Sequence, residues 1–481
     1  MSLSLAFSSA LSGLHVTARS TQLVADNIAN AQTDGYGVRT LDQSARVMLG
    51  AGSGVTLLGV RRETDQGLLT ERRNAASHVA GQSLIADFWM QMERALGLPD
   101  EQGSLAHQFG RLEDALKFAA SNPDSDAALH QIAHRTRDIS QSFRHLQSRV
   151  LDQREVADTR IASEVGDLNS ALDEIVKLNR EIQRQNLVGG TPQALMDIRQ
   201  RLVDQVAEIL PVTVVQREND QILLMARDGS VLADRQATRF EFERTTALAP
   251  SDLVEDGALS ELMVNGRTFS AHSVMLSEGR LGAALTIRDR LGPDLQNRID
   301  ELAVNLVLRF MGTGADPSLP SGAFGLFMLE GHASMPVETT GIAGQLDLNV
   351  LADPDAGGAL WRLRAGLHAP VPGAVSDSAQ IVRMAAALAD LAPLGTSAAG
   401  ARSLHGHAVT LVSRAGAERL SAETGQGNAQ ARLSALEEAF AARGVDTDAE
   451  LSKLMLLEKA YAANARVLAT LDAMLRTVME I

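Results

Sequence analysis

The sequence predicts a mainly α chain with inserted β regions (α+β): a long antiparallel helical bundle or coiled coil built from both chain ends, with β-rich outer domains in the middle. Three observations carry this. Proline first occurs at Pro99 and last at Pro393, and eight of the thirteen fall between Pro293 and Pro393. Proline removes a helix N–H and clashes with the preceding turn, so both ends tolerate helix and the middle favours loops and strands. Both ends also carry apolar residues at alternating steps of three and four, the seam of a helix that pairs with another helix. After Pro211 the apolar period falls to two.

Residues 1–30 hold the first seam, Phe7, Leu11, Leu14, Ala18, Thr21, Ala25 and Ile28, with Gly13 as the one glycine. Residues 37–74 read as extended. Gly50-Ala-Gly-Ser-Gly54 precedes the apolar run that starts at Val55. A phosphate loop follows a strand and opens a helix; here the order is reversed and no Lys-Ser/Thr follows Gly54. A helix is expected from about Ser77 to Leu96, broken by Gly97-Leu-Pro99.

The longest helix is expected from Asp124. Ile139, Phe143, Leu146 and Val150 make one stripe, continued by Ile161, Val165, Leu168, Leu172, Ile175 and Ile182, and Gly189-Gly190 ends it. Its first ~42 residues alone would span roughly 60 Å. Pro192 opens a second helix through Leu195, Ile198, Leu202, Val206 and Ile209, and the short connection makes an αα-hairpin.

Val212–Val215, Ile222–Met225 and Val231-Leu232 read as strands, with a turn at Asp228-Gly229, and extended pieces continue to about Val274. Residues 282–311 are expected to be helical, with Leu295, Ile299, Leu302, Leu306 and Phe310 on one side. Residues 313–375 are rich in Gly and Pro and read as a small β domain or a long ordered crossover. Residues 376–391 and 404–443 read as helices.

The final helix opens at Thr447, which with Glu450 is spaced as a capping box. Its seam is Leu454, Leu457, Tyr461, Asn464, Leu468, Leu471, Leu475 and Val478, with Asn464 breaking the apolar run. The expected organisation is therefore fourfold. Residues 1–36 with 446–481 form terminal coiled-coil helices. Residues 37–211 with 276–312 and 376–445 form a helical bundle with an extended N-terminal segment. Residues 212–275 form a small β domain, and 313–375 a Gly/Pro-rich insert.

Composition narrows the function. The 481 residues carry a formal charge of −15, and the arginine pairs Arg61-Arg62 and Arg72-Arg73 are flanked by Glu63, Asp65 and Glu71. A nucleic-acid partner would need a basic face, so none is expected. No run of about 18 apolar residues occurs, so membrane insertion is not expected. The serine-interrupted N-terminus lacks the basic start and apolar stretch of a cleaved export signal. Cysteine is absent, which excludes disulfides and thiol chemistry.

Few residues suggest catalysis. His130 and His134 have a metal-binding spacing, but the zinc-protease glutamate and a third ligand are missing. His405 and His407 read as polar residues at a helix start. Asp173-Glu174 and Glu437-Glu438 are adjacent, so on a helix they point apart. No cofactor, metal site or enzymatic activity is expected.

The two ends carry a recognisable pattern. Asn27-Ile-Ala-Asn30, with Ala29 inside it, then Thr33, Gly35 and Tyr36, resembles the N-terminal signature of the bacterial flagellar rod, hook and hook-associated axial proteins. Ala460-Tyr-Ala-Ala-Asn-Ala-Arg-Val467, which holds Tyr461 and Asn464, is similar to their C-terminal signature. Interior segments are similar to the hook-associated branch at the hook–filament junction. These are Gly52-Ser-Gly-Val55, Val60-Arg61 with Asp65, Leu68 and Arg73, Ser121-Asn-Pro-Asp124, Asp197-Ile-Arg199, Gly279-Arg-Leu-Gly282 with Arg288-Asp289, and Gly444-Val445 with Asp448 and Glu450. Departures from the family pattern are Asp34 in place of the usual proline, Gly37-Val-Arg39 after Tyr36, and Glu458-Lys459 before Tyr461.

The resemblance implies a structural protein in a ring of axial subunits, with terminal helices in the inner layer. It implies type III export without a cleaved signal and a place on the extracellular flagellum. The partners it implies are further copies, the hook protein, a second junction hook-associated protein and a cytoplasmic export chaperone. Leu454, Leu457, Leu468, Leu471, Leu475 and Val478 would serve subunit or chaperone binding. Competing readings are a hook or rod subunit, an intracellular coiled-coil adaptor, and a metal enzyme using His130 and His134.

Overall fold

The computed structural model describes residues 3–33, 35–48, 51–269, 273–394 and 400–479. The first helix, α1 (Leu3–Ala29), leads into an antiparallel hairpin of β1 (Val38–Met48) and β2 (Ala51–Glu63), paired from Val38 with Glu63 to Met48 with Ala51. Gly52 and Gly54 lie in β2 and hold no phosphate loop. Gly54 has φ +107°, and a Cβ there would stand 2.1 Å from Ser12 Oγ on α1. Glycine thus lets strand and helix touch, and Ser12 Oγ accepts from Val55 N at 3.1 Å.

The helix expected from Ser77 begins eleven residues earlier, as α2 (Gln66–Leu96). Asp65 is its cap, with Oδ1 accepting from Leu68 N at 3.0 Å. The charged run Glu71-Arg-Arg73 conceals this start in the sequence. Arg73 is buried and pairs with Asp204 at 2.6 Å.

Next come α3 (Leu105–Ser121), capped by Ser104, and α4 (Asp126–Leu187). At 62 residues, α4 is about 90 Å long. Gly166 does not interrupt it. At its end the Gly190 N–H donates to the Gln185 carbonyl at 2.8 Å, a terminating turn. α5 (Gln193–Ile209) follows, then β3 (Val212–Gln216), β4 (Ile222–Ala226) and β5 (Val231–Ala233) as one antiparallel sheet. β6 (Phe240–Glu241), β7 (Leu262–Val264) and β8 (Arg267–Phe269) make a second. The stretch 212–275, read as one β domain, therefore forms two separate three-stranded sheets. A period of two identifies strands and their buried side; it does not say which strands pair.

The helix expected over 282–311 is α6 (Gly279–Thr286), a π turn (Ile287–Leu291) and α7 (Gly292–Met311). The wide turn leaves the Arg288 carbonyl open to accept from the buried Arg154 Nε at 3.1 Å. Residues 313–375 run as an ordered crossover through β9 (Phe327–Leu329), its antiparallel partner β10 (Leu346–Leu348) and the short α8 (Trp361–Ala365). α9 (Ala379–Ala389), α10 (Leu404–Ala441) and α11 (Thr447–Met479) complete the chain. Among the described residues no helix is long and apolar enough to cross a membrane.

The chain divides into two compact units: residues 1–79, 166–239 and 428–481, and residues 80–165 and 240–427. In the second unit α3 packs on α9, and α7 on α9 and β9. Its core is aliphatic with a few aromatic contacts, Phe109 against Phe143 and Phe310 against Phe327. Phe327, Leu329, Leu346 and Leu348 from the crossover are fully within this core. The centre of this unit also holds an ionic knot. Arg288 pairs with Asp158 at 2.8 Å and Asp289 at 2.6 Å, while Arg154 donates to the carbonyls of Ala249, Pro250 and Asp252.

In the first unit α1 packs along α11 and against β2. The buried side of α1 is Ala10, Val16, Thr17, Leu23, Val24 and Asn27. Of the seam read for residues 1–30, Leu14, Thr21 and Ile28 are half-buried and Phe7, Leu11, Ala18 and Ala25 are exposed in the single chain. In a Ser/Ala/Thr-rich helix two neighbouring rows have similar apolar content, and burial of the polar Asn27 decides which row faces inward.

Candidate assembly site

The N-terminal signature residues gather at the end of α1, in the first unit. Asn27 is 0% exposed and all its hydrogen-bonding capacity on Oδ1 and Nδ2 is engaged. Oδ1 accepts from Tyr36 Oη at 2.8 Å and Arg39 N at 3.1 Å. Nδ2 donates to the Arg39 carbonyl at 3.0 Å and to Glu450 Oε2 on α11 at 3.2 Å. One amide thus holds helix, turn, strand and last helix together. Only an amide offers two acceptor and two donor positions in one plane.

Glu450 is therefore no capping-box partner of Thr447. Asp446 caps α11 instead, its Oδ1 accepting from Asp448 N and Ala449 N, both at 3.0 Å. This frees the Glu450 carboxylate for Asn27. The shift of cap by one residue is invisible to spacing, because Asp and Thr cap equally well.

The turn between α1 and β1 is built by its own residues. Asn30 Nδ2 donates to the Asp26 carbonyl at 2.9 Å, and Thr33 Oγ1 donates to Asn30 Oδ1 at 3.3 Å. Ala29 ends the helix with its side exposed. The Gly35 carbonyl accepts from Arg62 Nη2 at 3.0 Å. Asp34 lies outside the described residues. Tyr36 is half-buried with the Arg39 guanidinium 4.7 Å from its ring centre. Burial pushes its hydroxyl above the usual tyrosine value, with Arg39 opposing.

Asp197 on α5 closes the cluster. It accepts from Gly37 N at 3.2 Å and pairs with Arg39 at 2.9 Å and Arg62 at 2.6 Å. Sequence reasoning reached Asp197 only through the family resemblance, and Arg39 and Arg62 were not singled out as functional at all. Their signal was a buried-strand position carrying a charge, which without a known partner reads as a solvated face. Beside the cluster lies a cavity of about 350 Å³ between Tyr36, Asp65, Phe440 and Arg443.

On α11 the seam is only partly covered. Leu454, Leu457, Asn464 and Leu468 are half-buried and Leu471 is buried, whereas Tyr461 and Leu475 are exposed at 49% and 39%. The Val478 side chain lies outside the described residues. Asn464 faces Gly13 of α1, where an added Cβ would be 2.8 Å from Asn464 Nδ2. A second row runs beside the first at the same three–four steps: Leu456, Ala460, Ala463, Val467, Thr470 and Met474. Leu456, Val467 and Met474 of this row are exposed at 66%, 46% and 50%.

The histidines are placed differently from one another. His134 Nδ1 lies 3.0 Å from Asp138, which also pairs with Arg135. His405 and His407 contact the carbonyls of Ala106 and Ala392 at 3.0 and 2.7 Å. Among the described residues no group of three His, Asp or Glu side chains could hold a metal.

The model of the flagellar hook-associated protein FlgK helical domain matches residues 89–311, and that of the flagellar basal body rod FlgEFG protein C-terminal region matches residues 439–481. Flagellar hook-associated protein 1 of Salmonella typhimurium is 25% identical, over 61% of this chain and 54% of its own length. The chain thus spans about half the length of that relative in the match. Flagellar hook-associated protein 1 of Escherichia coli is 24% identical over 98% of each chain. The structure of the flagellar hook junction protein FlgK from Burkholderia pseudomallei is similar with a TM-score of 0.45 and 18% identity, over 54% of this chain and 46% of that one. The two family models fall on the helical interior and on the last helix, so the chain carries a region similar to the FlgK helical domain and one similar to the FlgEFG C-terminal region, and it resembles the flagellar hook-associated proteins.

Proposed function

We propose that this chain is a structural subunit of the bacterial flagellum that joins hook to filament, assembling with copies of itself through α1 and α11. The observation that carries the reading is the second row on α11. Leu456, Val467 and Met474 lie exposed at heptad spacing beside a seam already taken by α1. A helix with two apolar rows packs against two neighbours, and one is absent from a single chain. The residues 1–36 and 446–481 would then form the inner layer of an axial ring. The hook protein and a second junction hook-associated protein would be the neighbours along the axis.

Before assembly the same row needs cover. A cytoplasmic export chaperone that takes an amphipathic helix into a groove fits anchors three and four apart. The chain would leave by type III export and act outside the cell. The family is a structural one, and the polar cluster at Asn27, whose amide is bonded to Tyr36, Arg39 and Glu450, reads as a joint.

The test is to delete the gene, complement it with a tagged copy and image detached hook–filament structures. The reading expects label in a narrow band at the junction and loss of filament attachment in the deletion strain. Label along the whole hook or rod would assign a different axial position, and normal filaments in the deletion strain would overturn the proposal.

A further inference from the structure

We infer that the first unit contains a binding site for a small inorganic anion of chloride size, lined by residues of β2, α2, α5, β3 and β4. A cavity of about 30 Å³ lies there, with Arg62, Arg73, Arg199 and Gln200 around it and no Asp or Glu in its wall. All four side chains are buried: Arg73 is 5% exposed, Arg199 4% and Gln200 6%. The volume suits one or two waters or a single halide.

The chemistry of the wall favours the anion. Arg62 Nη2 donates to Gln200 Oε1, which fixes the orientation of that amide. Gln200 Nε2 is then a buried donor with no acceptor. Nearby carboxylates are already shared. Asp197 serves both Arg39 and Arg62, and Asp204 serves both Arg72 and Arg73. Arg199 donates to Asn179 Oδ1 and to the Asp220 carbonyl, both at 2.7 Å; the Asp220 carboxylate acts on it as a nearby charge, without an ion pair in contact.

The three guanidiniums of the wall thus face carboxylates that are shared or stand off, and burial lowers the Arg199 pKa to about 10, with Asp220 opposing that shift. A buried cation with no carboxylate in contact is costly, as is a buried N–H without an acceptor. One halide answers both, because it accepts from several donors at once and carries the missing charge. A water molecule would add two protons of its own to a wall already rich in donors.

The experiment uses the full chain. Crystals soaked in sodium bromide are examined by anomalous diffraction, and urea unfolding is followed while sodium chloride replaces sodium gluconate at constant ionic strength. Gluconate is too large for the cavity. The site predicts a bromide peak against Gln200 Nε2 and an unfolding midpoint that rises with chloride. Gln200→Glu places a carboxylate where the anion would be, and Gln200→Met removes the donor; both should blunt the chloride response. If Gln200→Glu does not fold, Gln200→Met alone decides. Absence of the bromide peak, or a chloride response unchanged in the folded variants, overturns the inference, as does a peak of equal strength in Gln200→Glu, which would mark an adventitious ion only.

Discussion

Asn27 and Glu450 are 423 residues apart in sequence and joined by one hydrogen bond of 3.2 Å at the centre of the first unit. The bond ties the end of α1 to the start of α11. It anchors the N-terminal signature to the first turn of the last helix. Asn27→Leu would keep the volume and remove every partner of Tyr36 Oη, Arg39 N and Glu450 Oε2 at this position. Each buried group left unsatisfied costs about 1–3 kcal/mol. We expect hydrogen exchange to show α1 and the first turns of α11 opening together in this variant while α3 and α7 keep their protection. Unchanged protection of α1 would remove the joint from the account.

The pH dependence of this joint follows from Tyr36. Burial raises its hydroxyl above the ordinary value of 10.0, and the neutral form is the one that donates to Asn27. A group whose folded value is raised binds its proton more tightly in the folded state. Its contribution is therefore fully present below the unfolded tyrosine value and is lost as pH rises through the folded one. In a Tyr461→Phe background Tyr36 is the sole tyrosine of the chain. Absorbance titration at the phenolate band should show an upward-shifted transition there. The unfolding midpoint should fall above about pH 10 in this background and not in one that also carries Tyr36→Phe.

Gly13 and Asn464 set the distance between α1 and α11. The added Cβ of Gly13→Ala would press on Asn464 Nδ2 at 2.8 Å, so α11 must shift or the amide must turn. Asn464→Ala makes room. The two changes should couple, the double variant being more stable than the sum of the singles predicts by roughly 0.5–3 kcal/mol, the usual range for residues in contact. Additive effects in a urea-unfolding cycle would mean that the two side chains do not share this space. We further propose that Asn464 fixes register, since a slipped pairing would bury its amide against apolar neighbours.

What the sequence made legible follows from which forces leave a period. α4, α5 and β3–β5 were read close to their observed ends because their buried rows are dense in Leu, Ile and Val and bounded by Gly189, Pro192 and Pro211. α1 was read as a helix, but the row it buries within the chain runs beside the one read, because Phe7 and Leu11 outweigh Ala10 and Thr17 in an apolar count. The start of α2 was missed because Asp65 reads as one more charge before Glu71-Arg-Arg73. Of the candidate site, Asn27 and Tyr36 were visible through the family signature. Their partners Arg39 and Glu450 were not assigned to them, since hydrogen bonds between distant polar residues have no spacing rule. The pairing of α1 with α11 was legible as two unfinished seams; which atoms lock it was not.

The exposed row on α11 separates assembly from folding. Leu456→Glu with Val467→Glu places two charges on side chains that are 66% and 46% exposed, so no buried contact within the chain is lost. Surface changes of this kind usually move stability within about 0.5 kcal/mol. Leu468→Asp with Leu471→Asp differs, because Leu471 is buried and an aspartate there would be desolvated. The first pair should unfold at the wild-type midpoint, remain dispersed in sedimentation at concentrations where wild type associates, and fail to attach filament to hook. The second pair should lower the midpoint as well, with α1 losing protection from exchange. Calorimetric titration with the purified chaperone then distinguishes the two surfaces. Weakened binding in the first pair places the chaperone on the exposed row, where it would shield the surface that later meets a neighbouring subunit. Binding lost only in the second pair would mean that the chaperone takes the place of α1 on the inner seam, and the exposed row would then have no role before export.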